Sequence, residues 1–251
     1  MSLYLKNQNS HERDSNLQFI EDSHTYLLHG KKVNTSVTTF VKKSFNEFNA
    51  DLIINKMMNG RNWKTSKYFG KSVDEIKQLW DVNRITASTF GTKLHKTIEL
   101  FYNKEDINDI DGIEKEFNMF KTFYNDHSHL TPYRTEWEVY NEDIDIAGSI
   151  DMLYENNDGT LDIYDWKRSK EISKINKWDS GKYPLQHLPD SNFWHYSLQL
   201  NMYKYILENK YDKIVNKMCL VCLHPTFDNY ILYEVDDLQE EITDLLEFRK
   251  N

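Results

Sequence analysis

GSIDML at Gly148–Leu153 and IYDWKRSK at Ile163–Lys170 are the two stretches of sequence that decide the fold. In the second stretch Asp165 and Lys167 are two residues apart, so the alternation of a β-strand places both side chains on one face. The Asn-Asn-Asp-Gly turn between the stretches predicts an antiparallel hairpin, which brings Asp151 beside Asp165 on that face. Adjacent carboxylates repel each other and are best tolerated around a divalent cation, and oxygen ligands of this kind suit Mg²⁺ or Mn²⁺.

Lys167 is the candidate catalytic residue of this hairpin. A lysine beside a cation site would orient the attacking water or stabilise the charge that develops on a phosphate. Taken alone, however, the Asp-x-Lys spacing favours a surface ion pair on a hairpin. The interpretation therefore depends on the elements that surround these strands.

Hydrophobic periodicity predicts helices and strands on both sides of the hairpin. A small hairpin within residues 17–41 precedes a helical region, in which Gly60 is a plausible end of one helix. A capping box at Ser72–Glu75 begins the next helix, which runs through Trp80. Further helices are expected at 86–103, 113–125, 192–209 and from about 237, and strands at 133–140, 144–154, 161–166, 215–223 and 229–235. The three strands nearest the turn form an antiparallel unit in this prediction.

The chain is 251 residues long, enough to bury a sizeable core, and nothing in it demands a second domain. We expect one α/β domain over residues 1–251, with a hairpin and helical region at 17–103 and a sheet core with a C-terminal helix at 104–251. The two cysteines are too few for a disulfide framework, and the first residues lack the apolar core of a secretion signal. No apolar run is long enough to span a membrane. We therefore expect a soluble protein of the cytoplasm or nucleus.

Charge is distributed unevenly along the chain, whose formal net charge is −9 at pH 7. Residues 36–103 hold 11 Lys and Arg against 6 Asp and Glu, and residues 167–182 hold 6 against 2, whereas residues 104–166 hold 4 against 17. Two basic segments of this kind suit contact with phosphates, although solvated helix faces are the commoner fate of such lysines. Charge alone therefore favours nucleic acid only weakly.

The two opening stretches resemble the core motif of the PD-(D/E)xK nuclease superfamily, with Ile150 where the family has a leading Pro. GTKLHKTIE at Gly91–Glu99 and YSLQLNMY at Tyr196–Tyr203 resemble motifs of its RecB-like exonuclease branch, which includes viral and phage exonucleases and the mitochondrial genome-maintenance exonuclease. The SVTTF and RTEW stretches are most similar to homologues in large DNA viruses and phages. The resemblance covers residues 17–235, and it implies a restriction-endonuclease-like core. This core is a mixed central β-sheet flanked by helices. From the basic charge of residues 36–103 we further expect the N-terminal helical region to arch over the cleft as a guide for a strand.

The resemblance also implies roles for individual residues. The implied metal ligands are His95, Asp151, Asp165 and the carbonyl of Trp166, with Lys167 as the catalytic lysine and Gln199 and Tyr203 supporting the site. The glutamate of the first strand is open between Glu136 and Glu138, which share a face, and the RTEW pattern favours Glu136. Taken singly, His95 with Glu99 fits a helix-surface pair, and Gln199 with Tyr203 fits a local hydrogen bond. Five elements occur in the order that the fold requires, which favours the functional interpretation.

DNA contacts are expected from cations after Gly60 and after the Asp-x-Lys motif, namely Arg61, Lys64, Lys67, Arg168 and Lys170. Trp63 and Tyr68 either stack on unpaired bases or serve as buried aromatic anchors. Some RecB-like nucleases bind an iron–sulfur cluster through four cysteines. Cys219 and Cys222 lie in the apolar strand segment MCLVCL, so we expect buried small side chains and no iron–sulfur cluster.

Together these features predict a metal-dependent DNA exonuclease, which holds one or two Mg²⁺ or Mn²⁺ ions and hydrolyses phosphodiester bonds from DNA ends. Replication, recombination or repair are the processes that the resemblance implies. The expected partner is DNA that is single-stranded or has a free end, and no membrane is involved. An endonuclease with the same chemistry and a non-catalytic nucleic-acid-binding subunit are the alternatives. The presence of Asp151, Asp165 and Lys167 together argues against the second alternative.

Overall fold

The computed structural model describes residues 3–250, in which helices and strands alternate. The helices are α1 Tyr4–Gln8, α2 Val37–Lys43, α3 Ala50–Met58, α4 Val73–Tyr102, α5 Glu114–Asp126, α6 Asn192–Lys210 and α7 Gln239–Lys250. The strands are β1 Leu17–Ile20, β2 Thr25–Leu28, β3 Lys31–Lys32, β4 Thr35–Ser36, β5 Thr131–Asn141, β6 Ile146–Glu155, β7 Leu161–Lys167, β8 Val215–Cys222 and β9 Ile231–Glu234. The fold is therefore mixed α/β, as the periodicity predicts.

The central sheet has six strands in the order β4-β6-β7-β8-β9, and β5 pairs with β6 as well. Strands β5, β6 and β7 are antiparallel, which confirms the predicted three-stranded unit. At the turn between β6 and β7 the Gly159 amide donates to the Asn156 carbonyl at 2.9 Å. Gly159 has a φ of 82°, a conformation that glycine adopts without steric cost. Strands β7 and β8 are parallel, and α6 makes the crossover between them.

Helices cover both faces of this sheet. On one face α2, α6 and α7 contribute to a hydrophobic cluster that includes Trp137 and Ile163. On the other face α4 and α5 pack around Phe120, Tyr164 and Trp166. The alternation of β7 explains this division, since neighbouring residues of a strand point to opposite faces. Asp165 and Lys167 consequently share the α6 face with Ile163.

The two cysteines lie within β8 and are fully buried and unpaired. Cys219 packs in the cluster beneath α4 and α5, whereas Cys222 packs in the cluster beneath α6. Their spacing of three places them on opposite faces of the strand. The expectation that they are buried small side chains is confirmed.

The predicted N-terminal hairpin is confirmed and has a third strand. Strands β1 and β2 are antiparallel in a register that pairs Leu17 with Leu28, and β3 pairs with the other edge of β2. The short β4 that follows joins the central sheet in parallel with β6. Helix α1 has no counterpart among the predicted elements. Within residues 3–250 no helix combines the length and the apolar character needed to cross a membrane.

The predicted separation between a helix ending near Trp80 and another beginning near residue 86 is wrong. One helix, α4, runs for 30 residues. Its capping box is confirmed, because the Ser72 hydroxyl accepts from the Glu75 amide at 3.3 Å and the Glu75 carboxylate accepts from the Ser72 amide at 2.6 Å. Residues 81–85 include no Gly or Pro, so nothing interrupts the hydrogen bonds of the helix there.

The middle of α4 is exposed at every residue from 81 to 89. The beginning of α4 packs on α3, where Ile54 and Ile76 are both 0% exposed. We call residues 50–89 the helical arm: its α4 side reaches the sheet through the exposed stretch of helix, and on its α3 side Nζ of Lys56 lies 4.7 Å from the Trp178 ring of the loop after β7. At 1.5 Å per residue the arm ends about 9 Å before His95 along the helix axis. The predicted arch of this region over the cleft stays a prediction.

Candidate metal and catalytic site

The candidate site lies where β6 and β7 separate. The antiparallel pairing of these strands ends at Met152 and Tyr164. Beyond this point the Trp166 amide donates to Oδ2 of Asp151 at 3.0 Å. The Asp151 carboxylate thus accepts a hydrogen bond that a backbone carbonyl accepts in a regular ladder. The Trp166 amide therefore keeps a partner at the point where the strands separate. Asp151 is held beside the end of β7, next to Asp165, as the turn between the strands predicts.

Groups from four elements meet at this separation. His95 of α4 places Nε2 2.8 Å from the carbonyl oxygen of Trp166. Its Nδ1 is 3.4 Å from Oδ2 of Asp151 and 3.9 Å from Oε1 of Glu136. One ligand atom from each of His95, Glu136 and Asp151 lies within 4.8 Å of the other two. These side chains are 28%, 29% and 12% exposed, so a solute from bulk water reaches them.

Asp165 and Lys167 form an ion pair beside this cluster. Nζ of Lys167 is 2.6 Å from Oδ2 of Asp165, and the two side chains are only 15% and 2% exposed. Nζ also lies 3.5 Å from Oε1 of Gln199, whose Nε2 donates to the Tyr203 hydroxyl at 3.4 Å. Gln199 and Tyr203, the two α6 residues expected to support the site, therefore form a chain of contacts that ends on Lys167.

The charges of this site depend strongly on one another. Burial raises the pKa of Asp151, and the charge of His95 offsets part of this rise. Burial likewise raises the pKa of Asp165 to about 6, although Lys167 acts in the opposite direction. Burial lowers the pKa of His95, but the neighbouring Asp151 and Glu136 outweigh it and raise the pKa to about 9. The excess negative charge is of the kind that a divalent cation neutralises.

Glu136 rather than Glu138 belongs to the cluster. Its φ of 43° lies in the left-handed region, which is rare for a residue within a strand and costs about 1–3 kcal/mol. The Ser149 hydroxyl donates to Oε2 of Glu136 at 2.9 Å and fixes the carboxylate. Glu138 is partly buried outside the cluster, and burial raises its pKa.

Two further tyrosines adjoin the site, and the sequence prediction did not include them. The ring of Tyr196, one turn before Gln199 on α6, lies 4.5 Å from Nζ of Lys167 in cation–π geometry. Burial of Tyr26 of β2 raises the pKa of its hydroxyl, and the charges of Glu138, Glu136 and Asp151 raise it further. Tyr196 precedes Gln199 by three residues and Tyr203 by seven, a spacing that places all three on one face of α6, so the sequence could have indicated it. No sequence period indicates that Tyr26 of the N-terminal sheet reaches this point.

Arg168 forms an ion pair with α5, and its expected contact with phosphate stays a prediction. Its Nε lies 2.7 Å from Oε1 of Glu116, and the two side chains are 13% and 2% exposed. The guanidinium also stacks over the Phe90 ring at 5.2 Å. Arg168 is therefore a structural anchor between β7 and α5. Lys170 is exposed, as expected.

The other expected DNA contacts lie on the helical arm. The three cations are exposed, namely Arg61, Lys64 and Lys67. Trp63 is partly buried and contacts Phe69 edge to face at 5.9 Å. The Tyr68 hydroxyl accepts from Nε1 of Trp80 at 2.9 Å. This contact and the partial burial of Tyr68 suit a packing role in the arm, and stacking on bases stays a prediction.

Comparison with known proteins leaves the chain without an assigned family. No protein-family model matches it, and no curated protein matches it. Among solved structures it is similar to the crystal structure of SSO0001, with 15% sequence identity, coverage of 86% of this chain and 73% of that chain, and a TM-score of 0.33. A similarity this weak carries no argument about function. Function rests on the chemistry of the site.

Proposed function

We propose that this chain is a Mg²⁺- or Mn²⁺-dependent DNA nuclease with PD-(D/E)xK chemistry on a restriction-endonuclease-like core. The observation that carries the proposal is the cluster of His95, Glu136 and Asp151 beside the buried pair of Asp165 and Lys167. Phosphodiester hydrolysis of this kind needs carboxylates that hold a cation and, next to them, an ammonium group in a fixed position.

The available donor groups fit a hard divalent cation. They are the carboxylates of Glu136, Asp151 and Asp165, the imidazole of His95 and the carbonyl of Trp166. Burial is the main cause that raises the pKa values of Asp151 and Asp165, and a neighbouring carboxylate adds to it, so a bound cation would favour the charged form of both groups. One or two ions bound here would polarise the scissile phosphate and lower the pKa of a water molecule.

Lys167 acts as a positioned cation in this proposal. Burial lowers its pKa, but Asp165 and Asp151 outweigh this effect and raise the pKa, so the amine is protonated at neutral pH. Its ammonium group orients the attacking water or stabilises the negative charge that develops on the phosphate. Gln199 and the Tyr196 ring hold the amine from the α6 side.

DNA is the proposed substrate, and its ends are the proposed point of attack. Both choices come from the RecB-like resemblance, as does a role in replication, recombination or repair. The exposed cations of the helical arm support a phosphate-binding surface, and the arm is continuous with the helix that carries His95. In this proposal the arm arches over the cleft and guides a strand toward Lys167.

The experiment is degradation of end-labelled linear DNA and of circular DNA, each single- and double-stranded, in Mg²⁺, Mn²⁺ or EDTA. Wild type and Lys167→Ala are compared, with Lys121→Ala as a control that removes an exposed lysine of α5 to which no contact with DNA is assigned. We expect metal-dependent loss of linear DNA with wild type and with Lys121→Ala, but not with Lys167→Ala. Cleavage of circular single strands would identify an endonuclease. DNA binding without degradation by any of these proteins would contradict the proposal and favour a non-catalytic subunit.

A further inference from the structure

The loop that connects β7 to α6, residues 168–191, is fixed against the segment between α2 and α3. We call it the lysine loop. The Lys182 amide donates to the Ser44 carbonyl at 2.8 Å, and Nδ2 of Asn46 donates to Oδ1 of Asp179 at 2.8 Å. Nζ of Lys56 lies 4.7 Å from the centroid of the Trp178 ring. These contacts join the two basic segments of the chain, which are far apart in sequence, into one surface.

Trp178 is the most conspicuous side chain of this surface. Its side chain is 83% exposed, the highest value among the exposed large hydrophobic residues between positions 3 and 250. Its backbone is nevertheless held in place, because Oδ1 of Asn176 accepts from the Trp178 amide at 2.9 Å, and Nδ2 of Asn176 donates to the Asp190 carbonyl at 2.6 Å. An indole that an ordered loop holds in water is positioned for a ligand with an aromatic or apolar face.

The charge around this indole favours an anionic ligand. Exposed lysines lie on the lysine loop, on α2 and on α3, namely Lys42, Lys43, Lys56, Lys170, Lys174, Lys177 and Lys182. Four exposed carboxylates lie on these elements and on the segment between α2 and α3, namely Glu47, Asp51, Glu171 and Asp179, and Asp51 is paired with Lys77. Asp179 is already engaged by Asn46. The surface therefore carries an excess of positive charge on a chain whose formal net charge is −9.

We infer that the lysine loop binds single-stranded nucleic acid by stacking an unpaired base on Trp178. The lysines contact the phosphates on either side of that base. A single strand exposes the faces of its bases, whereas a duplex buries them in its own stack, so an exposed indole selects the single strand. The inference rests on the proposed function in one respect: because the loop begins directly after Lys167, a strand bound there is the substrate as it enters the site.

The test is a binding experiment in EDTA, where no hydrolysis interferes. Fluorescein-labelled oligothymidylate and a hairpin duplex are titrated with wild type, Trp178→Ala, Trp178→Phe and Ile175→Ala, and anisotropy is measured. Ile175 is the matched control, because it lies three residues away, is 69% exposed and has no ring. Thermal unfolding checks that each variant folds, which we expect because both side chains are largely exposed.

We expect Trp178→Ala to weaken binding of oligothymidylate by about 5- to 150-fold, the effect of losing one stacked base. Trp178→Phe retains most of the affinity, Ile175→Ala stays near wild type, and duplex binding changes little. An equal effect of Trp178→Ala and Ile175→Ala would overturn the inference. An equal loss on duplex, or no binding of single strands by wild type, would overturn it as well.

Degradation in Mg²⁺ separates this inference from the proposed function. If Trp178→Ala loses affinity for single strands while wild type degrades no DNA, the binding surface stands and the nuclease proposal fails. If wild type degrades DNA and Trp178→Ala has the same affinity and the same KM, the binding surface fails and the nuclease proposal stands. A raised KM with an unchanged kcat is the result that supports both.

Discussion

The ion pair between Glu116 and Arg168 predicts a large loss of stability when only one partner is removed. Oε1 of Glu116 lies 2.7 Å from Nε of Arg168, and the side chains are 2% and 13% exposed. Glu116→Ala leaves the guanidinium in a largely buried position without its counter-charge. Glu116→Gln preserves the volume and one acceptor oxygen but removes the charge.

The magnitude follows from what remains after each change. Breaking a buried pair by removing one partner costs about 3–5 kcal/mol of unfolding free energy, because the remaining charge is uncompensated. A hydrogen bond to a charged group contributes about 1.5–3 kcal/mol, so Glu116→Gln should recover part of the loss. We therefore expect Glu116→Ala to destabilise more than Glu116→Gln. The double variant Glu116→Ala/Arg168→Ala should lose less than the sum of its single variants.

Urea unfolding followed by far-UV circular dichroism measures these differences, provided that the m value is the same in all variants. A loss of no more than about 0.5 kcal/mol for Glu116→Ala, the range of ordinary surface substitutions, would refute the reasoning. A second refutation would be an Arg168→Ala variant that keeps the wild-type unfolding midpoint and loses affinity for DNA. That result would instead support the contact with phosphate that the sequence predicts for Arg168.

Three further predictions concern packing, acid stability and the helical arm. Gly148→Ala brings its new Cβ to within 2.8 Å of the Tyr203 ring on α6, so we expect a loss of about 1–3 kcal/mol in the free energy of unfolding, measured in urea. In the control Gly91→Ala the new Cβ meets nothing within 4 Å, so this variant should not be destabilised. Burial raises the pKa of Asp14, but the bonds from Arg134 outweigh it and lower the pKa. The pair of Asp14 and Arg134 therefore stabilises the protein at pH values above about 3.9, the pKa of Asp in the unfolded chain. This contribution is lost as the pH falls through the lower pKa of Asp14 in the folded protein, so Asp14→Asn should approach wild-type stability only in acid. Ser72→Ala removes a cap worth about 1 kcal/mol and should speed hydrogen exchange in the first turn of α4, and unchanged exchange would contradict the capping role.

Local rules account for the parts of the fold that were predictable from the sequence. The two-residue period places Asp165 and Lys167 on one face, and the turn at Gly159 pairs β6 with β7 so that Asp151 lies beside them. The capping box at Ser72 correctly predicts the residue at which α4 begins. These features depend on backbone geometry within a few residues, which sequence patterns express directly.

The features that were not predictable depend on partners far away in the sequence. Arg168 meets Glu116 across 52 residues, and no pattern distinguishes this pair from two solvated charges. The left-handed backbone of Glu136 is a tertiary effect, because no local signal favours that conformation for a glutamate. Trp178 lies in a loop without periodicity, so its exposure becomes apparent only when the loop is placed beside α2 and α3.

The central claim is that the carboxylates at the separation of β6 and β7 bind a divalent cation, and titration calorimetry with Mn²⁺ tests it most directly. The comparison is between wild type, Asp151→Asn and the control Asp158→Asn, which changes an exposed carboxylate in the turn between the same strands. Wild type and Asp158→Asn should bind Mn²⁺ in one or two equivalents, and Asp151→Asn should bind it far more weakly. Mn²⁺ binding that is unchanged in Asp151→Asn, or no binding by wild type, would contradict the metal centre and with it the proposed chemistry.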